Sequence, residues 1–246
     1  MSEFIILSMI LIVIILLCNY KYLDNNKNLF SVMLLIIGLL FGKSKLEGFF
    51  QNKKLCNRLY IENYNAPVTI LKNFISKSMC DSIIKEAEDY ATIYEWTTDR
   101  HEHYPTTDNE VTYEWNTYNR VNNYIHSKIF IEIERLFDVN SEELGLNEMF
   151  VAKYENKGSK QSSLGSHVDG SEFSFIIALN DNYEGGGTHF IKPNKSYNLN
   201  TGDCLLFSGQ NTHKGVKVTS GVRYILTGFI NYKSHNYCKR TLGISY

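Results

Sequence analysis

Two apolar runs open the chain, Phe4 to Cys18, broken only by Ser8, and Leu29 to Phe41. Each is shorter than the roughly 20 residues that span a bilayer comfortably, although Asn19, Tyr20 and Tyr22 can extend the first. Three readings compete, one signal-anchor helix, a two-helix hairpin, and a cleaved secretory signal followed by a buried helix; a soluble core helix is weaker than any of them. The cleaved signal is disfavoured because only Met1, Ser2 and Glu3 precede the first run, with no basic residue among them, and no small-x-small site follows. The expectation is therefore a membrane anchor of one or two segments over residues 1–45, then a polar tether over 46–66, then a folded domain over 67–246.

Within that domain, Val68-Thr69-Ile70-Leu71 reads as a strand, and Ser76 as the N-cap of a helix carrying Met79, Ile83, Ile84 and Ala87 on one face. A second helix, Asn119 to Phe137, puts Val121, Tyr124, Ile125, Ile129, Ile133 and Leu136 along one stripe. Both read as packing helices. After Met149 the pattern changes to short β-rich segments between turn residues, as in an all-β barrel or sandwich. Glu172 to Asn180 alternates, with a buried face expected through Phe173, Phe175, Ile177 and Leu179. Gly185, Gly186 and Gly187 permit positive φ in the reversal that follows it, Gly202-Asp203 makes another turn, and Cys204 to Phe207 is a short buried strand leading to His213.

A length of 246 residues with 43% apolar content suits one packed domain of about 200 residues plus an appendage. Lys and Arg number 25 against 26 Asp and Glu, so there is no diffuse basic surface for a phosphate backbone, and nucleic acid is not an expected partner. Lys43, Lys45, Lys53, Lys54 and Arg58 follow the second apolar run and by the positive-inside tendency would put the domain in the cytosol. None of the five cysteines forms a CxxC pair; Cys18 and Cys204 read as small buried hydrophobes, while Cys56, Cys80 and Cys238 leave a disulfide open.

The candidate chemistry lies between His167 and Arg223. In an extended strand residues two apart project to one side, so His167 and Asp169 can face inward together, and His213 adds a second imidazole. Two histidines and a carboxylate on one face of a metal are the ligand set of non-haem Fe(II) oxygenases, which leave other positions open. An isolated His-x-Asp arises often by chance; its combination with His213 and Arg223 gives it meaning. A buried arginine is costly without an anion, and a dicarboxylate cosubstrate supplies one. Two rivals remain: a non-catalytic binding module on a membrane, and a zinc hydrolase, for which no general base is nominated. Upstream, Trp96 to Asp108 (WTTDRHEHYPTTD) carries His101 and His103 two apart without a third ligand nearby.

Tyr154, Gln161-Ser162-Ser163-Leu164, HVDGSEFSFIIALN from His167, YEGGGTHF from Tyr183, TGDCLLF from Thr201, THKG and GVRYILTGF together resemble the 2-oxoglutarate- and Fe(II)-dependent dioxygenases of the prolyl 4-hydroxylase and procollagen lysyl hydroxylase type. The resemblance covers about Met149 to Asn231 and is nearer in wording to the lysyl hydroxylases. It implies an α+β, mainly β fold, a double-stranded β-helix or jelly roll with flanking packing helices. It implies Fe(II) held by His167, Asp169 and His213, and 2-oxoglutarate held through its distal carboxylate by Arg223, with Tyr154 and Thr227 adding hydrogen bonds. Ascorbate as a further cofactor, O2, and a peptidyl prolyl or lysyl substrate are also implied, a free amino acid or other small molecule being the alternative. Segments like Trp96–Asp108 line the active-site mouth in some relatives, so Arg100, His101, Tyr104 and Asp108 are candidate substrate contacts. Members often carry Arg where this chain has His189 and Trp where it has Phe229, neither a ligand. The intact Asp169 argues against the halogenating relatives. Many such hydroxylases work in a secretory lumen, which makes the endoplasmic reticulum a candidate site and leaves the side of the membrane open.

Overall fold

The computed structural model describes residues 67–101, 104–157 and 161–233. The two N-terminal apolar runs, the tether, His103, Cys56 and Cys238 lie outside the described residues. Among the described residues no helix is long and apolar enough to cross a membrane.

The chain begins with β1 (Thr69–Leu71) and α1 (Lys77–Tyr94). Ser76 caps α1 as expected, its hydroxyl accepting from the Met79 N–H at 3.2 Å. The short β2 (Asp108–Glu110) follows, and then the second helical stretch, which is not uniform. It runs as α2 (Tyr118–Tyr124), a π-helical turn (Ile125–Ile129) and α3 (Phe130–Phe137). The reason is visible in the stripe: Val121, Ile125, Ile129 and Ile133 are all fully buried and recur every fourth residue. A strict four-residue repeat drifts around a helix of ~3.6 residues per turn, and a wider π turn in the middle brings it back to one face.

The remaining strands are β3 (Leu144–Glu155), β4 (Leu164–His167), β5 (Phe173–Ala178), β6 (Glu184–Gly185), β7 (Thr188–Phe190), β8 (Lys195–Tyr197), β9 (Cys204–Ser208), β10 (His213–Gly215), β11 (Val218–Ser220) and β12 (Val222–Tyr232). They form a six-stranded sheet in the order β1-β9-β5-β12-β3-β2, a four-stranded sheet β4-β10-β7-β8, and the pair β11-β6. The architecture is mainly β with few helices, consistent with a jelly roll.

β5 corrects one expectation. Instead of one buried face it is buried at all six positions. Phe173, Phe175 and Ile177 join the core that includes α1 and the second helical stretch, through Met79, Ile83, Val121, Ile129 and Ile133. Ile176 and Ala178 point the other way, into a second core with Phe150, Tyr154, Phe190 and Phe207. The same division runs through β9, where Cys204 and Leu206 belong to the first core and Leu205 and Phe207 to the second. The large sheet therefore has helices on one face and the small sheet facing the other, with period-two alternation sorting side chains between them. β3 also starts five residues before Met149, because it runs the length of β12, from Leu144 opposite Tyr232 to Glu155 opposite Val222. Cys80 and Cys204 are both buried and free.

Candidate metal centre

His167 closes β4 and His213 opens β10, and the antiparallel register sets them directly opposite each other. Their ring centroids are 4.3 Å apart. Asp169 lies two residues past His167, beyond the end of the strand, with its backbone N–H donating to the Gly209 carbonyl at 2.9 Å. That bond continues the alternation by one more step: the Asp169 Oδ1 is 3.2 Å from His167 Nε2 and 3.6 Å from His213 Nε2. One ligand atom from each of the three residues falls within 4.8 Å of the others, as around a shared ion.

The tautomers suit a metal. The Nδ1 of His167 is 2.8 Å from the Gly165 carbonyl, and the Nδ1 of His213 is 2.9 Å from the Asn211 carbonyl. A carbonyl only accepts, so Nδ1 carries the proton and each Nε2 lone pair is left to face Asp169. Phe190 stacks on the His213 ring at 5.5 Å and Phe207 meets it edge-on at 4.9 Å, closing the inner side against water. Burial pushes the His213 imidazole below its ordinary value and so keeps it neutral, the form a metal binds. For His167 burial acts the same way, but the Asp169 carboxylate outweighs it and the net shift is upward. Burial would raise Asp169; the charges and hydrogen bonds of His213, His167 and Ser174 overcome it and hold the carboxyl below the usual range, ionised as a ligand must be.

Arg223 is on the inner face of β12, opposite Tyr154 of β3. It is 3% exposed, its Nε is buried without a hydrogen-bond partner, and among the described residues no carboxylate pairs with it. A guanidinium cannot shed its charge by deprotonating. Its buried positive end therefore calls for an anion from outside the chain. The cavity it faces is lined by the three ligands, Tyr154, Thr188, Ile176, Ile225 and Thr227 among others. Tyr154 places its ring 5.5 Å from the guanidinium carbon; burial raises its phenol, so it stays a hydrogen-bond donor. Thr227 also lines the cavity, but its hydroxyl donates to the Phe175 carbonyl at 2.8 Å. In this arrangement its proton is committed and is not donated to a cosubstrate carboxylate.

The four upstream candidates separate. His101 and Tyr104 line the opening beside the ligands, together with Thr106, Phe150, Leu164, Val168 and Phe229. The His101 ring rests on Phe150 at 4.8 Å and Tyr104 on His167 at 5.1 Å. Arg100 and Asp108 are instead bonded to each other at 2.6 Å, Arg100 reaches Glu148 at 2.9 Å, and Thr106 donates to the wholly buried Asp108. They brace the segment rather than open onto the cavity. The residues around the ligands that sequence reasoning passed over, Phe190, Phe207 and Phe150, carried a signal only in hindsight of the pairing: each occupies an inward position of its strand.

No family model matches the chain. A multifunctional procollagen lysine hydroxylase and glycosyltransferase of Caenorhabditis elegans is 26% identical over 249 residues, 87% of this chain and 33% of the relative. The chain spans between 22% and 33% of the length of the curated procollagen lysine hydroxylases it matches. Among solved structures, a prolyl hydroxylase in complex with a hypoxia inducible factor peptide fragment, from Trichoplax adhaerens, superposes with a TM-score of 0.58 at 16% identity, over 82% of this chain and 97% of that one. The viral collagen prolyl hydroxylase of Paramecium Bursaria Chlorella virus-1, in its 2-oxoglutarate complex, gives 0.53 at 17%, over 67% and 95%. At such identities these structures speak for the fold alone, while the sequence similarity is to procollagen lysine hydroxylases.

Proposed function

We propose that the domain is an Fe(II)- and 2-oxoglutarate-dependent dioxygenase that hydroxylates an unactivated C–H on a peptidyl lysyl or prolyl side chain. The observation that carries this reading is one cavity holding both a His-Asp-His set and a buried arginine that no carboxylate among the described residues pairs with. His167, Asp169 and His213 would hold the iron, and Arg223 the distal carboxylate of the cosubstrate. Iron with 2-oxoglutarate and O2 supplies the oxidising chemistry, giving succinate, CO2 and a hydroxylated product. The chain supplies placement. Asp169 balances part of the metal's charge, the Gly165 and Asn211 carbonyls keep both imidazoles in the ligating tautomer, and Arg223 with Tyr154 orients the cosubstrate. Phe190 and Phe207 keep water from the inner side of His213.

The substrate would enter past His101, Tyr104, Phe150 and Phe229. Relatives named procollagen lysine hydroxylases favour a lysyl target, and the prolyl hydroxylase bound to a peptide favours a peptide one. The apolar runs at residues 4–18 and 29–41 would tether the enzyme to a membrane, the endoplasmic reticulum being the first compartment to examine, and ascorbate would serve as reductant. Succinate formed from 2-oxoglutarate with Fe(II), and lost on chelation, tests the reaction; retention of turnover in chelator would overturn it. Mass spectrometry for one added oxygen across peptides with Lys or Pro sites separates the two targets. Oxygen added only to free amino acids would favour the small-molecule alternative.

A further inference from the structure

Among the described residues, Arg223 sits on a stretch of β12 that has a strand on one side only. β3 accompanies β12 along its whole length, but β5 pairs with it only from Ile225 onward, ending at Ala178. Leu179 still donates its N–H to the Tyr224 carbonyl at 3.0 Å. The next residue replaces the missing strand with its side chain. Asn180 Oδ1 accepts from the Tyr224 N–H at 2.8 Å, and Asn180 Nδ2 donates to the Val222 carbonyl at 2.7 Å. These are the two residues flanking Arg223. The partners also fix the amide's orientation, since an N–H must meet an acceptor and a carbonyl a donor; Asn182 Oδ1, 2.7 Å from Nδ2, agrees.

The turn that follows serves the same residue. A Cβ on Gly186 would lie 2.6 Å from the Tyr183 ring and 3.2 Å from the Arg223 Cδ, and Gly186 has a φ of 69°. The arginine stem passes where a side chain would stand. On the opposite face of the sheet, Tyr224 donates its hydroxyl to Glu88 of α1 at 2.5 Å, and Lys153, its cross-strand partner, reaches the same oxygen at 2.7 Å. The segment bearing Arg223 is thus held by β3, by Asn180 and by α1 at once.

We propose that Asn180 is a positioning residue for the cosubstrate: its carboxamide stands in for a strand, fixes the backbone on both sides of Arg223 and so sets the aim of the guanidinium into the cavity. This rests on the reading that Arg223 holds the cosubstrate's carboxylate. The iron ligands, carried by β4, β10 and the turn after β4, are outside its reach.

The test measures 2-oxoglutarate affinity of the metal-loaded protein by calorimetry without O2, together with KM, kcat and Tm, for Asn180→Ala, Arg223→Ala and the double variant. Asn180→Ala is expected to weaken 2-oxoglutarate binding about 10-fold, leave iron affinity within about twofold, and lower kcat at saturating cosubstrate by less than about threefold. In the double variant the Asn180 change should add nothing to the loss from Arg223→Ala, because its effect is routed through that residue. A lowered Tm with unchanged 2-oxoglutarate affinity, or losses that simply add, would overturn the proposal. If Asn180→Ala does not fold, Asn180→Asp keeps the acceptor for the Tyr224 N–H but sets an oxygen against the Val222 carbonyl. The same weakening of affinity is expected there, and its absence overturns the proposal equally. Should Arg223→Ala itself bind 2-oxoglutarate normally, the functional reading fails, an outcome distinct from failure at Asn180 alone.

Discussion

The two faces of the six-stranded sheet are built from the same strands and do opposite work. On the helix side, Met149, Val151, Phe173, Phe175, Ile177, Leu206, Leu226 and Ile230 form a continuous apolar layer. On the cavity side, the alternate positions of β12 carry Arg223, Ile225, Thr227 and Phe229 toward Tyr154, Phe150 and the metal ligands. Burial is nearly equal: Leu226 is 0% exposed and Arg223 3%. Burial alone therefore does not tell a residue's purpose; a buried charge without a partner does. The helix side contributes stability by removing apolar surface from water. The cavity side gives some of that up, keeping a guanidinium and a carboxylate out of water for a ligand to complete.

The largest effect is expected at the ligands. His167→Ala or Asp169→Ala should abolish 2-oxoglutarate turnover while leaving a folded protein, checked by succinate formation alongside circular dichroism; turnover surviving in either breaks the assignment of the cavity face. Arg223→Ala should raise the 2-oxoglutarate requirement by about 100-fold, about 2.7 kcal/mol, with much less change in iron affinity. Equal loss of both would mean that Arg223 supports the fold and not the cosubstrate.

From the other face, Leu226→Ala should cost about 3 kcal/mol of stability by opening a cavity against the helices. Denaturant unfolding would read it, and the KM for 2-oxoglutarate of the folded fraction should stay as it was. If that KM rises with the destabilisation, the two faces are coupled and the comparison fails. The smallest effect lies at the sheet edge, where Asp203 ties β9 to the turn after β1. Burial would raise its carboxyl, but Lys72 and the backbone N–H groups of Asn73 and Asn200 hold it below its ordinary value. Its contribution is present above the unfolded carboxyl's pKa and lost as pH falls through the lower folded value. Asp203→Asn should therefore cost about 1 to 2 kcal/mol near neutral pH and flatten the acid side of the stability profile, with little effect in strong acid.

The candidate ligands His167, Asp169 and His213, and Arg223, could be nominated because few roles other than metal or anion binding bring His-x-Asp, a later His and a buried Arg together, and the structure gathers them around one cavity. The capped helix at Ser76 was equally plain, since its cap rests on contacts within a few residues, and the strand at Cys204 showed as a short apolar run after a turn. The π turn was hidden, although its cause, the four-residue repeat from Val121 to Ile133, stands in the sequence. An apolar stripe shows which side is buried, not how the backbone adjusts to keep it there. Arg100 and Asp108 read as substrate contacts because similar segments line the active-site mouth in some relatives; instead Arg100 pairs with Asp108 and, 48 residues on, with Glu148 of β3.

The sequence by itself determined which residues alternate, which helices pack, and which side chains are candidates for metal and anion chemistry, all of it information about residue type and spacing along the chain. The tertiary structure decided the rest. The pairing of β4 with β10 sets His167 against His213, the Gly209 carbonyl extends the inward alternation to Asp169, and the missing strand beside Arg223 is replaced by one carboxamide. Each depends on strand register, and register is a property of two segments meeting, which neither segment specifies alone.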